Sequence, residues 1–319
     1  MNRSNYSRLI FMGTPDFALP CLKALWQAKE EVVAVYTQPD RPRGRGQRIS
    51  PSPVKELALD CRLPVFQPKT LRDESLLRQL AEHKPDLLIV VAYGLILPQE
   101  VLDIPTWGAV NVHASLLPKY RGAAPIQWAI IKGEKETGVT TMRLDAGLDT
   151  GDLLFQQPLP ILETDTTQSL QDRLSESGAP LLLQTLSALR QGTLVPFPQD
   201  PRLASYSPPL KKEQGEINWE LSAREINGWV RGLTPWPGAF TFCRGKRLLL
   251  HLASPEMESD RGILGTIHSL PEGLIRVQTG QGLLVLKEVQ LEGHRRVSSQ
   301  EFLKGFPLKV GDRLGRRWP

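Results

Sequence analysis

The stretch over residues 86–93 reads Asp86-Leu87-Leu88-Ile89-Val90-Val91-Ala92-Tyr93, with six successive apolar side chains in its middle. A strand that has one face in water alternates apolar and polar residues, but this stretch offers no polar face. A continuous apolar run of this length predicts a strand buried on both faces, which is typical of a parallel sheet covered by helices.

Other apolar runs of strand length flank this stretch on both sides. They cover residues 9–13, 32–36, 64–66, 110–113 and 138–144. Helical patterns lie between several of them, at residues 16–27, 52–61 and 74–83. Ser52 and Pro53 are the N-cap and first-turn residues that helix starts prefer. A longer helix is expected over residues 168–189, interrupted or kinked around Gly178 and Pro180. This alternation predicts an α/β fold with a Rossmann-like, mostly parallel sheet and helices on both faces.

The pattern changes after residue 191. Five prolines crowd residues 192–209 and predict a linker. Short strands with turn signals follow, at residues 239–243, 247–253, 263–269, 274–279 and 283–291. Two capping boxes predict helices among them, Ser222 with Glu225 and Ser298 with Glu301. We therefore expect a first domain over residues 1–191, a linker over 192–209, and a smaller C-terminal OB-like β-barrel domain over 210–319.

Composition limits where such a chain can work. The longest apolar run, residues 87–97, has 11 residues, whereas a membrane-spanning helix needs roughly 20. Eight residues precede the first apolar run, which is too few for a signal or transit peptide. Cys21, Cys61 and Cys243 are odd in number and lack a CxxC spacing, so we expect reduced thiols and no zinc site. These features predict a cytoplasmic protein without a membrane partner.

Charge is unevenly distributed along the chain. Residues 1–205 hold 22 basic and 22 acidic residues, while residues 206–319 hold 17 and 12. The whole net charge of +5 therefore lies in the last third. A basic domain beside a neutral one suggests a polyanionic partner such as nucleic acid. A solubilising surface is the alternative that charge alone leaves open.

Two polar residues end one of the predicted buried strands. Asn111 and His113 are two positions apart, so their side chains point to the same side of the strand. The carboxyl end of a strand in an open α/β sheet borders the ligand crevice. An amide donor beside an imidazole can hold a carbonyl oxygen as it becomes an oxyanion. The alternative is a structural asparagine and a core histidine with satisfied hydrogen bonds.

Three carboxylates lie in a short loop after the predicted strand at residues 138–144. Asp145, Asp149 and Asp152 occur with two glycines in eight residues. The spacing and final glutamate of a calcium loop are absent, and a solvated turn is the other alternative. A catalytic role requires one carboxylate to face His113. We expect this to be Asp149, because the neighbouring glycines let the backbone fold back there.

An arginine-rich segment follows the second predicted strand. It contains Arg41, Arg43, Arg45 and Arg48, with Gly44 and Gly46 between them. The forked guanidinium group suits phosphates and RNA grooves. A mobile surface loop is the alternative interpretation.

These motifs carry a resemblance that covers essentially the whole chain. The sequence resembles the methionyl-tRNA formyltransferase family, within the wider folate-dependent formyltransferases. The matching motifs are MGTPDF at residues 12–17, TQPDRP at 37–42, PSPVK at 51–55, VAYGLILP at 91–98, NVHASLLP at 111–118, RGAAPIQ at 121–127 and GLDTGD at 147–152. The match is dense to about residue 155 and sparser afterwards.

The resemblance implies a role for each motif. Asn111, His113 and Asp149 take the family's catalytic positions. A binding loop for 10-formyltetrahydrofolate is implied at Ser115, Leu116, Leu117 and Pro118. A pteridine pocket is implied at Leu95, Ile96 and Leu97. Contacts with initiator Met-tRNA are implied for Arg41, Arg43, Arg45 and Arg48, and for the C-terminal domain. No metal is implied, and we expect a monomer without a protein partner.

Three other functions remain open at this point. A formyltransferase acting on a small amine would need neither the basic segment nor the second domain. A formyltetrahydrofolate hydrolase would use water instead of the amine. A noncatalytic RNA-binding protein could keep the fold, although intact Asn111, His113 and Asp149 argue against it.

Overall fold

The computed structural model describes residues 7–43, 48–257 and 262–315. The chain divides into two compact units. The first comprises residues 1–125, 136–160 and 171–207, and the second comprises residues 126–135, 161–170 and 208–319. Each unit is described by itself below.

The first unit contains eleven of the described strands. They are β1 (Arg8–Gly13), β2 (Glu31–Tyr36), β3 (Arg41–Arg43), β4 (Arg48–Ser50), β5 (Val65–Phe66), β6 (Leu87–Val91), β7 (Ala109–His113), β8 (Arg121–Gly122), β9 (Glu136–Arg143), β10 (Leu153–Pro160) and β11 (Tyr206–Ser207). Seven of these form one sheet in the order β10-β9-β7-β6-β1-β2-β5. The pairs from β7 to β5 are parallel, whereas β9 pairs antiparallel with both β7 and β10. The predicted mostly parallel sheet is confirmed.

Six α-helices occur along this stretch of the chain. They are α1 (Leu19–Gln27), α2 (Pro53–Asp60), α3 (Glu74–Glu82), α4 (Gln99–Leu102), α5 (Pro125–Ile131) and α6 (Thr167–Gln191), with short 3-10 turns at Asp16–Ala18 and Pro201–Leu203. Most of α5 and the first turn of α6 fall in the second unit, and the other helices belong to the first. Ser52 caps α2 as predicted, since its Oγ accepts a hydrogen bond from the Lys55 amide at 3.1 Å. Ile10 and Met12 of β1 share a buried cluster with Leu76 and Leu80 of α3.

The expected interruption of the long helix is wrong. α6 runs continuously through Gly178 and Pro180. Pro180 removes only one hydrogen-bond donor, and a side chain at position 178 would meet Val112 and Val139 of the sheet at 3.2 and 3.6 Å. Gly178 is therefore explained by the close approach of helix and sheet rather than by a break.

The second unit is built around an antiparallel sheet. Its strands and helices are β12 (Ala239–Cys243), β13 (Lys246–Glu256), β14 (Ile267–Ser269), β15 (Ile275–Gln278), β16 (Leu283–Leu291), β17 (Val297–Ser298), α7 (Ala223–Gly232) and α8 (Ser299–Gly305), with 3-10 turns at Lys212–Gly215 and Pro271–Gly273. The order is β12-β13-β16-β15-β14, and β17 pairs with β16. The reciprocal capping box of Ser222 and Glu225 starts α7 as predicted.

The last described residues link the two ends of this curled sheet. Gly311 and Asp312 exchange backbone hydrogen bonds with Ile267 of β14, at 2.9 and 2.7 Å. Gly315 then donates to the carbonyl of Phe242 in β12 at 2.8 Å. This segment continues the hydrogen bonding from one edge strand to the other, which fits the predicted OB-like barrel.

The structure also tests what the sequence predicts for the thiols and for membrane-spanning helices. Cys21, Cys61 and Cys243 are free thiols, as predicted. In the described part of the chain, none of the helices has the length and apolar character needed to cross a membrane.

Candidate active site

Asn111 and His113 lie at the carboxyl end of β7. Val90 of β6 is in register with Asn111, so the segments that follow these two parallel strands leave the sheet at the same edge. The side chains of Asn111 and His113 are buried, with 8% and 7% of each residue exposed. Among the described residues Asn111 has no side-chain hydrogen bond, and a buried amide of this kind is suited to receive a ligand oxygen.

His113 is held between a backbone carbonyl and a carboxylate. Its Nε2 lies 3.1 Å from the carbonyl oxygen of Tyr120, and its Nδ1 lies 3.7 Å from Oδ2 of Asp149. A carbonyl oxygen only accepts, so the neutral ring carries its proton on Nε2. Nδ1 is then the atom that can take up a proton, and the charge that results would face Asp149.

Asp149 is held in a backbone conformation that few non-glycine residues adopt. Its φ is +54°, in the left-handed region. Its Oδ2 accepts a hydrogen bond from the Gly122 amide at 2.8 Å. A Cβ at Gly151 would lie 1.9 Å from the Arg143 carbonyl oxygen, so the loop closes tightly just beyond Asp149. These contacts aim the carboxylate at His113.

The other two carboxylates of the loop are placed differently. Oδ1 of Asp145 accepts from the Gly147 amide at 3.0 Å and from the Thr150 hydroxyl at 2.8 Å, which shapes the loop itself. Asp152 contributes its carbonyl oxygen to the Arg143 amide at 2.9 Å. Of the three aspartates, the structure brings Asp149 within 4 Å of His113.

The residues predicted to bind the formyl donor follow β7 directly. The Ser115 hydroxyl is fully buried and donates to the Lys119 carbonyl oxygen at 2.6 Å, so it shapes the loop. The Gln156 amide donates to the Leu117 carbonyl oxygen at 2.8 Å, and the Thr140 hydroxyl donates to the Ser115 carbonyl oxygen at 2.6 Å. Residues 115–118 are thus anchored to strands β9 and β10.

The second predicted donor-binding segment follows β6. Leu95 is half-buried, Leu97 is buried, and Ile96 is 81% exposed. The carbonyl of Tyr93, just before it, accepts from the Thr14 hydroxyl at 2.9 Å. This segment and residues 115–118 therefore emerge from neighbouring strands at the same sheet edge.

The arginine-rich segment begins as a hairpin of β3 and β4. Arg41 of β3 pairs with Ser50 of β4, and its guanidinium donates to Oε1 of Gln38 at 2.7 Å. Asp40 anchors the base through Lys55 Nζ and Gln67 Nε2, both at 2.7 Å. The hydrogen bond from Lys55, followed by that from Gln67, lowers the pKa of Asp40. Arg43 and Arg48 lie in the two strands, and Arg45 lies outside the described residues.

Several groups around the site were not predicted from the sequence. They are the Tyr120 carbonyl, the Gly122 amide, Gln199 and Ser207. Gln199 and Ser207 lie within residues 192–209, where the proline content predicted a linker. That part of the chain includes strand β11, which pairs with β8. No local sequence signal identifies Gln199 and Ser207, because Gln199 is 50 positions from Asp149 and Ser207 is 87 positions from Tyr120.

The arrangement defines a class of enzyme. A buried amide, an imidazole and a carboxylate meet at the carboxyl edge of a parallel sheet, which is a constellation for acyl transfer with stabilisation of a developing oxyanion. Over the described residues, no cluster of three or more potential metal ligands is present.

Comparison with known proteins identifies the family. Residues 7–186 match the formyl transferase family, and residues 209–307 match the C-terminal domain of formyl transferases. The methionyl-tRNA formyltransferase of Citrifermentans bemidjiense is 50% identical over 97% of both chains. That of Geobacter sulfurreducens is 49% identical over 97% of this chain and 96% of its own. The chain belongs to the methionyl-tRNA formyltransferase family.

A solved structure supports the fold independently. The N-formyltransferase from Helicobacter canadensis, solved with folinic acid and dTDP-3-aminofucose, has a TM-score of 0.67 and 19% identity. The alignment covers 92% of this chain and all of that one. At this identity the likeness supports the fold alone.

Proposed function

We propose that this chain transfers the formyl group of 10-formyltetrahydrofolate to the α-amino group of methionyl initiator tRNA. The observation that carries the proposal is the contact of His113 with Asp149 beside Asn111. It occurs in a chain half identical, over nearly its whole length, to enzymes named for this activity.

The reaction forms a bond between the methionyl nitrogen and the formyl carbon, and breaks the bond from that carbon to N10 of the folate. The attacking amine must be neutral, which an α-amino pKa near 8 makes easy at cellular pH. Asn111 would donate to the formyl oxygen as negative charge builds on it. The amine proton would leave by way of His113 and Asp149, directly or through water, and end on N10.

Donor binding is proposed for the two segments at the sheet edge. Residues 115–118 have their backbone fixed by Thr140 and Gln156. We propose that Leu95, Ile96 and Leu97 line the pteridine site, partly through their backbone groups, while Ser115 acts by shaping its loop. A backbone that is already held in place lowers the cost of ordering the site when the donor binds.

RNA recognition is proposed to use both basic features. The hairpin of β3 and β4 starts at the sheet edge that carries the site, and we propose that this segment contacts the aminoacyl end of the tRNA. Residues 210–319 would bind the body of the tRNA through phosphates. We also propose that the enzyme works in the cytoplasm and is a monomer. Light scattering at micromolar concentration would test the oligomeric state.

The decisive experiment measures transfer of labelled formyl from 10-formyltetrahydrofolate to initiator and elongator Met-tRNA. Incorporation into initiator Met-tRNA that is abolished in His113→Ala supports the proposal. Release of formate at equal rates with and without tRNA would indicate a hydrolase instead. Formylation of a small amine in preference to tRNA would indicate a small-molecule formyltransferase, and binding of tRNA without turnover would indicate a noncatalytic protein.

A further inference from the structure

Gln199 makes four hydrogen bonds beside the active site. Its Nε2 donates to the carbonyl oxygens of Asp149 and Gly151, at 2.9 and 2.7 Å. Its Oε1 accepts from Nε and Nη2 of Arg121, at 3.1 and 2.7 Å. One side chain therefore holds the backbone at Asp149 and again two residues later, at Gly151.

The surroundings permit only one orientation of this amide. A guanidinium group only donates and a carbonyl oxygen only accepts. The reverse orientation would place the NH₂ group against Arg121 and the amide oxygen against two carbonyl oxygens. Because only 4% of Arg121 is exposed, its guanidinium is fixed in place and keeps the amide directed at the loop.

We propose that Gln199 is a positioning residue for formyl transfer. It holds the backbone of Asp149 so that the carboxylate faces Nδ1 of His113. This inference rests on the proposed function, since it assigns to Gln199 an effect that passes through Asp149.

The conformation of Asp149 explains why this support is needed. A left-handed backbone is unfavourable for a residue that has a side chain, and Asp149 adopts it between Gly147 and Gly151. Within the described part of the chain, the carboxylate accepts a hydrogen bond from one donor, the Gly122 amide. Without Gln199 the carbonyl groups of Asp149 and Gly151 would lose this donor, and the carboxylate could turn away from His113.

The segment around Gln199 also supports the other side of the histidine. Strand β11 pairs with β8, which contains Arg121 and Gly122. The Ser207 hydroxyl of β11 donates to the Tyr120 carbonyl oxygen at 3.0 Å, and this oxygen is the partner of His113 Nε2. Residues 199–207 thus support both groups between which the imidazole lies.

Two substitutions of Gln199 separate its contacts. Gln199→Ala removes all four hydrogen bonds. Gln199→Glu keeps an acceptor for Arg121 but loses both donors and sets a negative charge against the two carbonyl oxygens. We expect kcat to fall by about 10- to 100-fold in both variants, in keeping with the effect of a small misplacement. KM for the formyl donor and for Met-tRNA should change less than about threefold.

Two controls distinguish positioning from general stability. Gln157→Ala removes a glutamine side chain from the exposed surface of β10 and should leave kcat unchanged. Arg121→Lys removes the fork that orients the amide while keeping a positive charge, and should lower kcat in the same direction. This second variant tests the inference even if Gln199→Ala does not fold.

A double-mutant cycle with Asp149→Asn gives the deciding result. If Gln199 acts through the carboxylate, Gln199→Glu should lower residual kcat by less than about twofold in the Asp149→Asn background. An equal loss in both backgrounds, or wild-type kcat in Gln199→Glu and Arg121→Lys, overturns the inference. Wild-type activity in Asp149→Asn alone would instead refute the proposed catalytic site, so the two failures are distinguishable.

Discussion

The two units use polar residues in different ways. At the sheet edge of the first unit, a few buried polar groups are each held by backbone atoms of other segments, as His113 is by Tyr120 and Asp149 is by Gly122. In the antiparallel second unit, charged side chains lie on the strand surfaces and form partly exposed ion pairs, such as Arg276 with Glu256.

This difference separates catalysis from binding. Stabilising a developing charge requires donors that are already oriented, so one misplaced group costs orders of magnitude in rate. Binding a polyanion sums many weak phosphate contacts, each sensitive to salt. Single substitutions should therefore have large effects at the end of β7 and small ones on the second unit.

The largest effects are expected for Asn111→Ala and His113→Ala. Losing one oxyanion donor typically costs about 10² to 10³ in rate, and losing a proton-transfer group costs about 10² to 10⁴. Asn111→Ala and His113→Ala should therefore each lose at least about 10² in kcat on initiator Met-tRNA. Both residues lie at the end of a strand whose core contacts remain, so the far-UV circular dichroism should not change. Near-wild-type turnover in either folded variant would remove that residue from the catalytic assignment.

The carboxylates of the loop should rank in one order. Asp149→Asn should abolish most activity while sparing donor binding, because it alone of the three faces His113. Asp145→Asn removes acceptors for the Gly147 amide and the Thr150 hydroxyl, and should be milder. Asp152→Asn should be mild as well. Steady-state kinetics and donor titration would measure this, and a larger loss in Asp152→Asn would mean that the wrong carboxylate has been chosen.

The contrast between the units also describes what could be predicted from the sequence. The buried strands were recognisable because burial on both faces leaves a continuous apolar run, as at residues 86–93. Asn111 and His113 could be found because a two-residue spacing on a strand places side chains on one face. These are local signals, which one segment carries by itself.

The supporting groups of the site could not be predicted in this way. Gln199 lies 50 positions from Asp149 and Ser207 lies 87 from Tyr120, in a proline-rich segment whose composition indicated a linker. Gly178 was similarly misleading, since its small size serves helix packing against the sheet rather than a break. The roles of these residues depend on contacts with residues far away in the sequence, and the periodicity of apolar residues does not indicate such contacts.

Substitution of single basic residues should have a smaller effect on tRNA formylation. In the first unit it should change the preference for initiator tRNA, and in the second unit it should change the affinity for all tRNAs. Arg45→Ala in the hairpin segment should narrow the difference in kcat/KM between initiator and elongator Met-tRNA. Lys246 lines a cleft of the second unit. Lys246→Ala should lower the affinity for both tRNAs by the same few-fold factor. If Lys246 contacts a phosphate, its removal should reduce the salt slope of binding by about one.

Measurements of kcat/KM for both tRNAs at several salt concentrations would test this contrast. Equal losses on both tRNAs for Arg45→Ala would reduce the hairpin segment to a general basic patch. A loss of initiator preference in Lys246→Ala would instead give the second unit a part in discrimination.

The last prediction uses the reactivity of one buried thiol in each unit to report the unfolding of that unit. Burial raises the pKa of Cys21 to about 12 in the first unit, and that of Cys243 to about 11 in the second. Since the thiolate is the reactive form, neither should be alkylated in the native protein at pH 8, whereas the partly exposed Cys61 should react slowly.

In a Cys61→Ser background, labelling of Cys21 or Cys243 at rising urea then reports opening of the unit that contains it. The contacts of His113 and Asp149 lie within the first unit. If these residues carry the reaction, loss of formyl transfer from a saturating donor to a minimal aminoacylated acceptor stem should follow Cys21 labelling. Loss of this activity while Cys21 is still protected and Cys243 is already labelled would show that the site depends on the second unit as well.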